Sequence, residues 1–194
     1  MDQRAPGPGV RRGRDRTWLV TTPVPGLSAV HPRWLAEPRR AVAAVGEGLR
    51  ALHDTLPVDR CPFTWSAADR VRTAYRRVAA GLAAPPRWHA EQTGLTAAQA
   101  LAVLADVPEV DRTVVCHGDS CGPNTIVGAD GRWSGHVDLG SLGVADRWAD
   151  LAVAAWSTGR NYGPGWEQLL LDAYGVPADP ERTRWYHLLY DLDE

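Results

Sequence analysis

Lysine is absent from these 194 residues; all 21 basic side chains are arginine. No side-chain ammonium can therefore hold the phosphates of a nucleotide, the task of a strand lysine in many phosphate-transfer sites. A glycine-rich loop between strands is missing too, since Gly7, Gly9 and Gly13 lie among prolines and arginines. Cysteine is scarce. The three residues Cys61, Cys116 and Cys121 are an odd number, which argues against a disulfide framework. Cys116, His117 and Cys121 fit no standard zinc spacing, and a fourth ligand is lacking. No apolar run approaches the ~18 residues that span a bilayer. No apolar segment follows Arg11-Arg12, so a signal peptide is rejected and a cytoplasmic protein with no membrane partner is expected. Neither sign of charge dominates. A net charge of −2 provides no basic face for nucleic acid.

What remains is an ordinary globular composition, 44% hydrophobic and 23% charged, long enough for one core. Met1 to Arg16 has no periodicity and is expected to be a disordered tail, leaving residues 17–194 as the domain. Thr17 to Val20 reads as a short strand, punctuated by Pro23-Val-Pro-Gly26. Val42, Val45, Leu49 and Leu52 predict a core helix over Pro38 to Leu56, and His53 near its end is read as structural. Ser66-Ala-Ala-Asp69 caps a helix carrying Val71, Ala74, Tyr75, Val78 and Leu82, broken by Pro85-Pro86. Thr96-Ala-Ala-Gln99 caps another, with Leu101, Leu104 and Val107 inward. Thr113 to Cys116 is a short buried strand. Thr125-Ile-Val127 and Trp133 to Val137 flank Gly128-Ala-Asp-Gly131, a hairpin signal. Helices are expected over Ala145 to Thr158 with Trp156 inward, over Gly163 to Tyr174 with Gly175 as cap, and from Asp179-Pro180 onward.

The chemistry concentrates between Val114 and Asp150. Asp119 and Asn124 have the D-x-x-x-x-N spacing of a kinase catalytic loop, and Asp138-Leu139-Gly140 stands where a metal-binding Asp-Phe-Gly would. A carboxylate can orient an acceptor hydroxyl and take its proton. A second carboxylate and an amide oxygen suit Mg²⁺, a hard cation that prefers oxygen. The hairpin would bring Asp138 back toward Asn124.

His117-Gly118-Asp119, Pro123-Asn124, Ser134-Gly135, Val137-Asp138-Leu139-Gly140 and Leu142 to Arg147 closely resemble the aminoglycoside 3'-phosphotransferases. Trp18-Leu-Val20, Val24-Pro-Gly26, Leu52-His53, Cys61-Pro-Phe63 and Trp185 to Leu189 extend the resemblance over roughly residues 17–192. It implies an α+β, mostly α, protein-kinase-like C-terminal lobe with a hinge at 17–28, its helices packed around a catalytic loop and a short β-hairpin. It also implies ATP and Mg²⁺, and a small-molecule acceptor. By resemblance Asp119 is the base and orienter, and Asn124 and Asp138 are the Mg²⁺ ligands. His117, Gly118 and Asp146 brace the loop, with Asp146 and Asp150 locking it and capping the following helix. Thr22 and Val24 offer hinge backbone to adenine, while Glu91 and Asp191 face the acceptor.

Some positions depart from the family pattern. Arg87 replaces an acid near Glu91, Arg160 and Asn161 stand where acids occur, and Tyr190-Asp191 replaces an acid pair. Ser141 takes the place of an arginine. The missing lysine and glycine loop belong to the family's N-terminal lobe, and without them this polypeptide alone is expected to be a very poor kinase. A chain lacking that lobe would expose an apolar patch around Leu19, Val20 and Val24. Three readings stay open: an ATP-dependent aminoglycoside kinase, a non-catalytic remnant or binding module, and a kinase of another small hydroxylated metabolite.

Overall fold

The computed structural model describes residues 8–82 and 94–193. The expected architecture, α+β and mostly helical, is what it contains. Gly9–Arg12 (β1) and Thr17–Val20 (β2) pair antiparallel, with Val10 opposite Leu19. Part of the stretch expected to be a disordered tail is therefore a strand. The Gly13 N–H donates to the Arg16 carbonyl at 2.7 Å, and the Trp18 ring lies so close that a Cβ on Gly13 would sit 2.9 Å from it. The hairpin is exposed on both faces, Leu19 by 73%, so it needs no apolar alternation and shows none.

Leu27–Ser28 (β3) follows Gly26, where a Cβ would meet the Val127 carbonyl at 2.4 Å and φ is +131°. Only glycine allows this close approach. A short turn of helix, Pro32–Leu35 (α1), precedes Pro38–Thr55 (α2), whose Val42, Val45 and Leu49 are buried as their spacing requires. Ala67–Ala79 (α3) starts where the Ser66 hydroxyl accepts the Asp69 N–H at 3.2 Å. It stops short of Leu82, and Tyr75 and Leu82 face solvent instead of extending the apolar stripe. Ala97–Leu104 (α4) opens on the reciprocal Thr96–Gln99 capping box, and Val107 beyond it is exposed rather than inward.

Thr113–Cys116 (β4) is buried from Val114 onward. After a 3₁₀ turn at Gly122–Asn124 come Thr125–Val127 (β5) and Trp133–His136 (β6), which join β3 in a three-stranded antiparallel sheet ordered β3-β5-β6. Gly143–Asp146 (β7) pairs antiparallel with β4, Cys116 opposite Gly143 and Thr113 opposite Asp146. Ala145 and Asp146 were expected to begin a helix. A buried strand must satisfy its backbone groups, and β4 finds its partner here. The helix starts three residues later, as Trp148–Tyr162 (α5). Glu167–Tyr174 (α6) ends on Gly175 at φ +87°, and Pro180–Asp193 (α7) closes the described chain.

α5 is the central post. Trp148 through Ala155 are buried, with α7 and α6 packed on it and α2 behind. Leu188, Leu189 and Leu192 of α7 complete the core. Trp156 is only half-buried and meets Tyr190 with ring centroids 6.2 Å apart. Among the described residues, no helix is long and apolar enough to cross a membrane.

Candidate active site

The loop that follows β4 turns sharply at Gly118, where φ is +89° and a Cβ would lie 2.2 Å from the Ser141 carbonyl oxygen. Any side chain would force the loop off the segment that follows Asp138. His117, fully buried, is tied at both ring nitrogens. Its Nε2 lies 3.0 Å from the Val137 carbonyl, and Nδ1 accepts the Asp119 N–H at 3.2 Å. A carbonyl can only accept, so the proton sits on Nε2, and Nδ1, already accepting, carries none. The ring thus connects the loop to the strand end just before Asp138.

Asp119 and Asn124 meet directly. Asn124 Nδ2 donates to Asp119 Oδ2 at 2.8 Å and to the Asp119 carbonyl at 3.0 Å. These bonds engage the amide nitrogen and not Asn124 Oδ1, the kind of atom a hard cation takes. Asp138 comes near through the backbone, since the Val137 N–H donates to the Asn124 carbonyl at 3.0 Å. Asp138 is exposed and is the one non-glycine residue among those described with positive φ, at 60°. Holding an aspartate in the left-handed region costs on the order of 1 kcal/mol. The backbone thus sets Asp138 beside the segment that carries the Asn124–Asp119 pair, and carboxylate and amide oxygens are the donor types that Mg²⁺ prefers.

The loop is braced chiefly by Asp150, which is fully buried on the first turn of α5. Its Oδ2 accepts the His117 N–H at 2.6 Å and its Oδ1 the Gly118 N–H at 3.0 Å. His53 Nε2 stands 3.0 Å from Oδ2, and the other ring nitrogen lies 2.9 Å from the Tyr174 hydroxyl. Burial pushes the Asp150 carboxyl up, but the His53 hydrogen bond and charge and the two backbone donors outweigh it and hold the group below the usual carboxylate range. The Ser120 hydroxyl adds a bond to the Asp150 carbonyl at 2.7 Å.

Asp146 does different work. Its carboxylate accepts from the Asp111 N–H at 3.0 Å, the Trp148 N–H at 3.1 Å and Arg182 at 3.3 Å. It caps α5 and ties down α7, and its side chain makes no bond to residues 117–119. Of the hinge residues, Thr22 is exposed, and half-buried Val24 packs against Gly135 of β6. The Ser28 hydroxyl donates to the Pro123 carbonyl at 2.9 Å, so the hinge segment adjoins the Asn124 side of the loop. Asp191, expected to face the acceptor, is buried on α7 at 8% exposure. Glu91 lies outside the described residues.

One contact at this site was not foreseen from the sequence. Ser157, about two turns along α5 from Asp150, accepts the Gly122 N–H at 2.8 Å. Its only advance signal is the seven-residue interval from Asp150, which places both on one face of α5.

The model of the "Phosphotransferase enzyme family" matches residues 5–186. This chain belongs to that family. It is 41% identical over 191 residues to an aminoglycoside 3'-phosphotransferase of Streptomyces fradiae, covering 93% of this chain and 70% of that protein. It is 37% identical over 200 residues to a streptomycin 3''-kinase of Streptomyces griseus, covering 95% and 72%. The solved structure of the Streptomyces rimosus aminoglycoside phosphotransferase APH(3'')-Id with ADP and streptomycin superposes with a TM-score of 0.77 at 32% identity, over 97% of this chain and 76% of that one. The kinase-like fold and family expected from the catalytic-loop motifs are thus the ones found.

Proposed function

We propose that this chain acts on ATP and an aminoglycoside, transferring the terminal phosphoryl group to a sugar hydroxyl, in the cytoplasm where ATP is supplied. The observation that carries the reading is the Asn124–Asp119 pair at 2.8 Å. It sets a carboxylate for the acceptor hydroxyl beside an amide oxygen free for a cation. Asp119 orients the hydroxyl and accepts its proton as the oxygen attacks phosphorus. Asn124 and Asp138 would hold Mg²⁺, which when bound offsets charge on the phosphate oxygens. Backbone at Thr22 and Val24 receives the adenine. Gly118, His117 and Asp150 keep Asp119 still, so that positioning supplies much of the rate. Two relatives act at the 3' and the 3'' position by name, and the reading commits to a sugar hydroxyl without choosing between them.

The test is incubation with Mg-ATP and kanamycin or streptomycin, read by mass spectrometry for gain of one phosphoryl group. Product that disappears in Asp119→Ala supports the reading. Product undiminished in that variant, or none from a chain shown to be folded, defeats it.

A second reading, a kinase of a less cationic hydroxylated molecule, draws on one observation. The last turns of α5 carry Arg160 over the Trp156 ring at 5.5 Å, with Tyr190 beside it, where carboxylates would serve a polycation better.

A further inference from the structure

α5 touches the catalytic loop at two places. At Asp150 it holds the N–H groups of His117 and Gly118, the side of the loop leading into Asp119. Seven residues on, at Ser157, it holds the side leading into Asn124. Ser157 is 2% exposed and its hydroxyl oxygen accepts the Gly122 N–H at 2.8 Å. Asn161, one turn further, donates from Nδ2 to the same oxygen at 3.0 Å and to the Ser157 carbonyl at 2.7 Å. Asn161 stands where the family pattern has an acid, and its amide is directed back at Ser157. Gly122 is itself buried and opens the 3₁₀ turn that ends in Asn124, and the Asn124 N–H closes that turn on the Cys121 carbonyl at 3.0 Å. The Gly122 amide is therefore the root from which the Asn124 side chain is aimed. Were Ser157 apolar, that buried N–H would have no partner, and the turn would shift to find one.

We infer that Ser157, steadied by Asn161, is a positioning residue for cation binding: it fixes Asn124 through the Gly122 amide. The inference rests on the phosphotransferase reading above and extends it to a residue outside the loop. Helix α5 acts as a ruler in which Asp150 sets the base and Ser157 sets the cation ligand. The two anchors are separate, although Asn124 also donates to Asp119 directly, while Asp150 holds the Asp119 side independently. Removing the Ser157 hydroxyl therefore weakens cation binding more than acceptor binding.

The probe is Mn²⁺ with ADP, its binding followed by electron paramagnetic resonance on the full chain, with thermal melts and streptomycin titrations alongside. In Ser157→Ala the apparent Mn²⁺ affinity falls about tenfold, the scale of one unpaired buried amide, while streptomycin binding falls clearly less. Ser157→Thr, which keeps an oxygen at the γ position, returns the affinity to within about twofold of the starting chain by restoring that bond. Asn161→Ala, which spares the helix interior, gives a smaller loss in the same direction. Mn²⁺ affinity unchanged in Ser157→Ala overturns the inference alone. So does an equal loss of Mn²⁺ and streptomycin binding, which would mark Ser157 as merely structural, and so does a Thr variant no better than Ala. A starting chain that binds no Mn²⁺ with ADP overturns the phosphotransferase reading, and the inference falls with it.

Discussion

Asp138 holds a conformation that its own backbone disfavours. At φ 60° a glycine would be at ease, whereas an aspartate is strained by about 1 kcal/mol. Such outliers persist where the side chain is needed, and the exposed carboxylate has no packing reason to be there. Asp138→Gly is expected to raise stability by about 1 kcal/mol in urea unfolding while abolishing phosphotransfer. A variant of unchanged or lower stability would show that the left-handed turn is held by something the side chain contributes.

At the scale of elements, the catalytic loop is suspended from α5, and Asp150 is the main hook. It accepts from two backbone amides and from His53, and an asparagine there has one acceptor oxygen against three donors. Asp150→Asn is expected to cost about 3 kcal/mol at neutral pH. The pH dependence has a definite sign. A carboxyl held below its unfolded value stabilises the fold above that value, and the contribution is lost as pH falls through the lower folded one. The starting chain should therefore lose stability steeply below about pH 4, and Asp150→Asn should show a shallower loss, measured by urea unfolding at a series of pH values. An acid limb of equal slope in both would remove Asp150 from this account. The loop, β4 and the β5–β6 hairpin were legible beforehand because apolar runs, turn glycines and fixed motif spacing all mark them. The strand β7 was not, since Gly-Val-Ala-Asp reads as well into a helix, and only the unmet backbone of β4 makes it extended. Ser157 was invisible for another reason. Serine is common in helices, and its partner Gly122 lies 35 residues away. The burial of Asp191 was not legible either, since an acid near the chain's end reads as exposed, whereas on α7 it is 8% exposed.

Over the whole molecule, the charges that would grip ATP are uneven. On the proposed reading Asn124 and Asp138 would serve the cation, but no lysine exists anywhere in the 194 residues to meet the phosphates. Losing one preorganised charge donor lowers rates by ~10²–10³. Titration calorimetry of this chain with Mg-ATP should show binding weaker than micromolar, and turnover at least that factor below a lysine-bearing relative. Micromolar affinity would mean that arginines have taken over the grip. The β1–β2 hairpin adds a consequence of a different kind. It rests on little besides its own backbone bonds, and isolated two-stranded hairpins are marginal in water. Arg12, Arg14 and Arg16 sit exposed in and around its turn, so brief trypsin treatment should nick the chain there first. The post of α5 and everything hung from it should survive as a resistant fragment, because opening this ribbon does not require the core to melt.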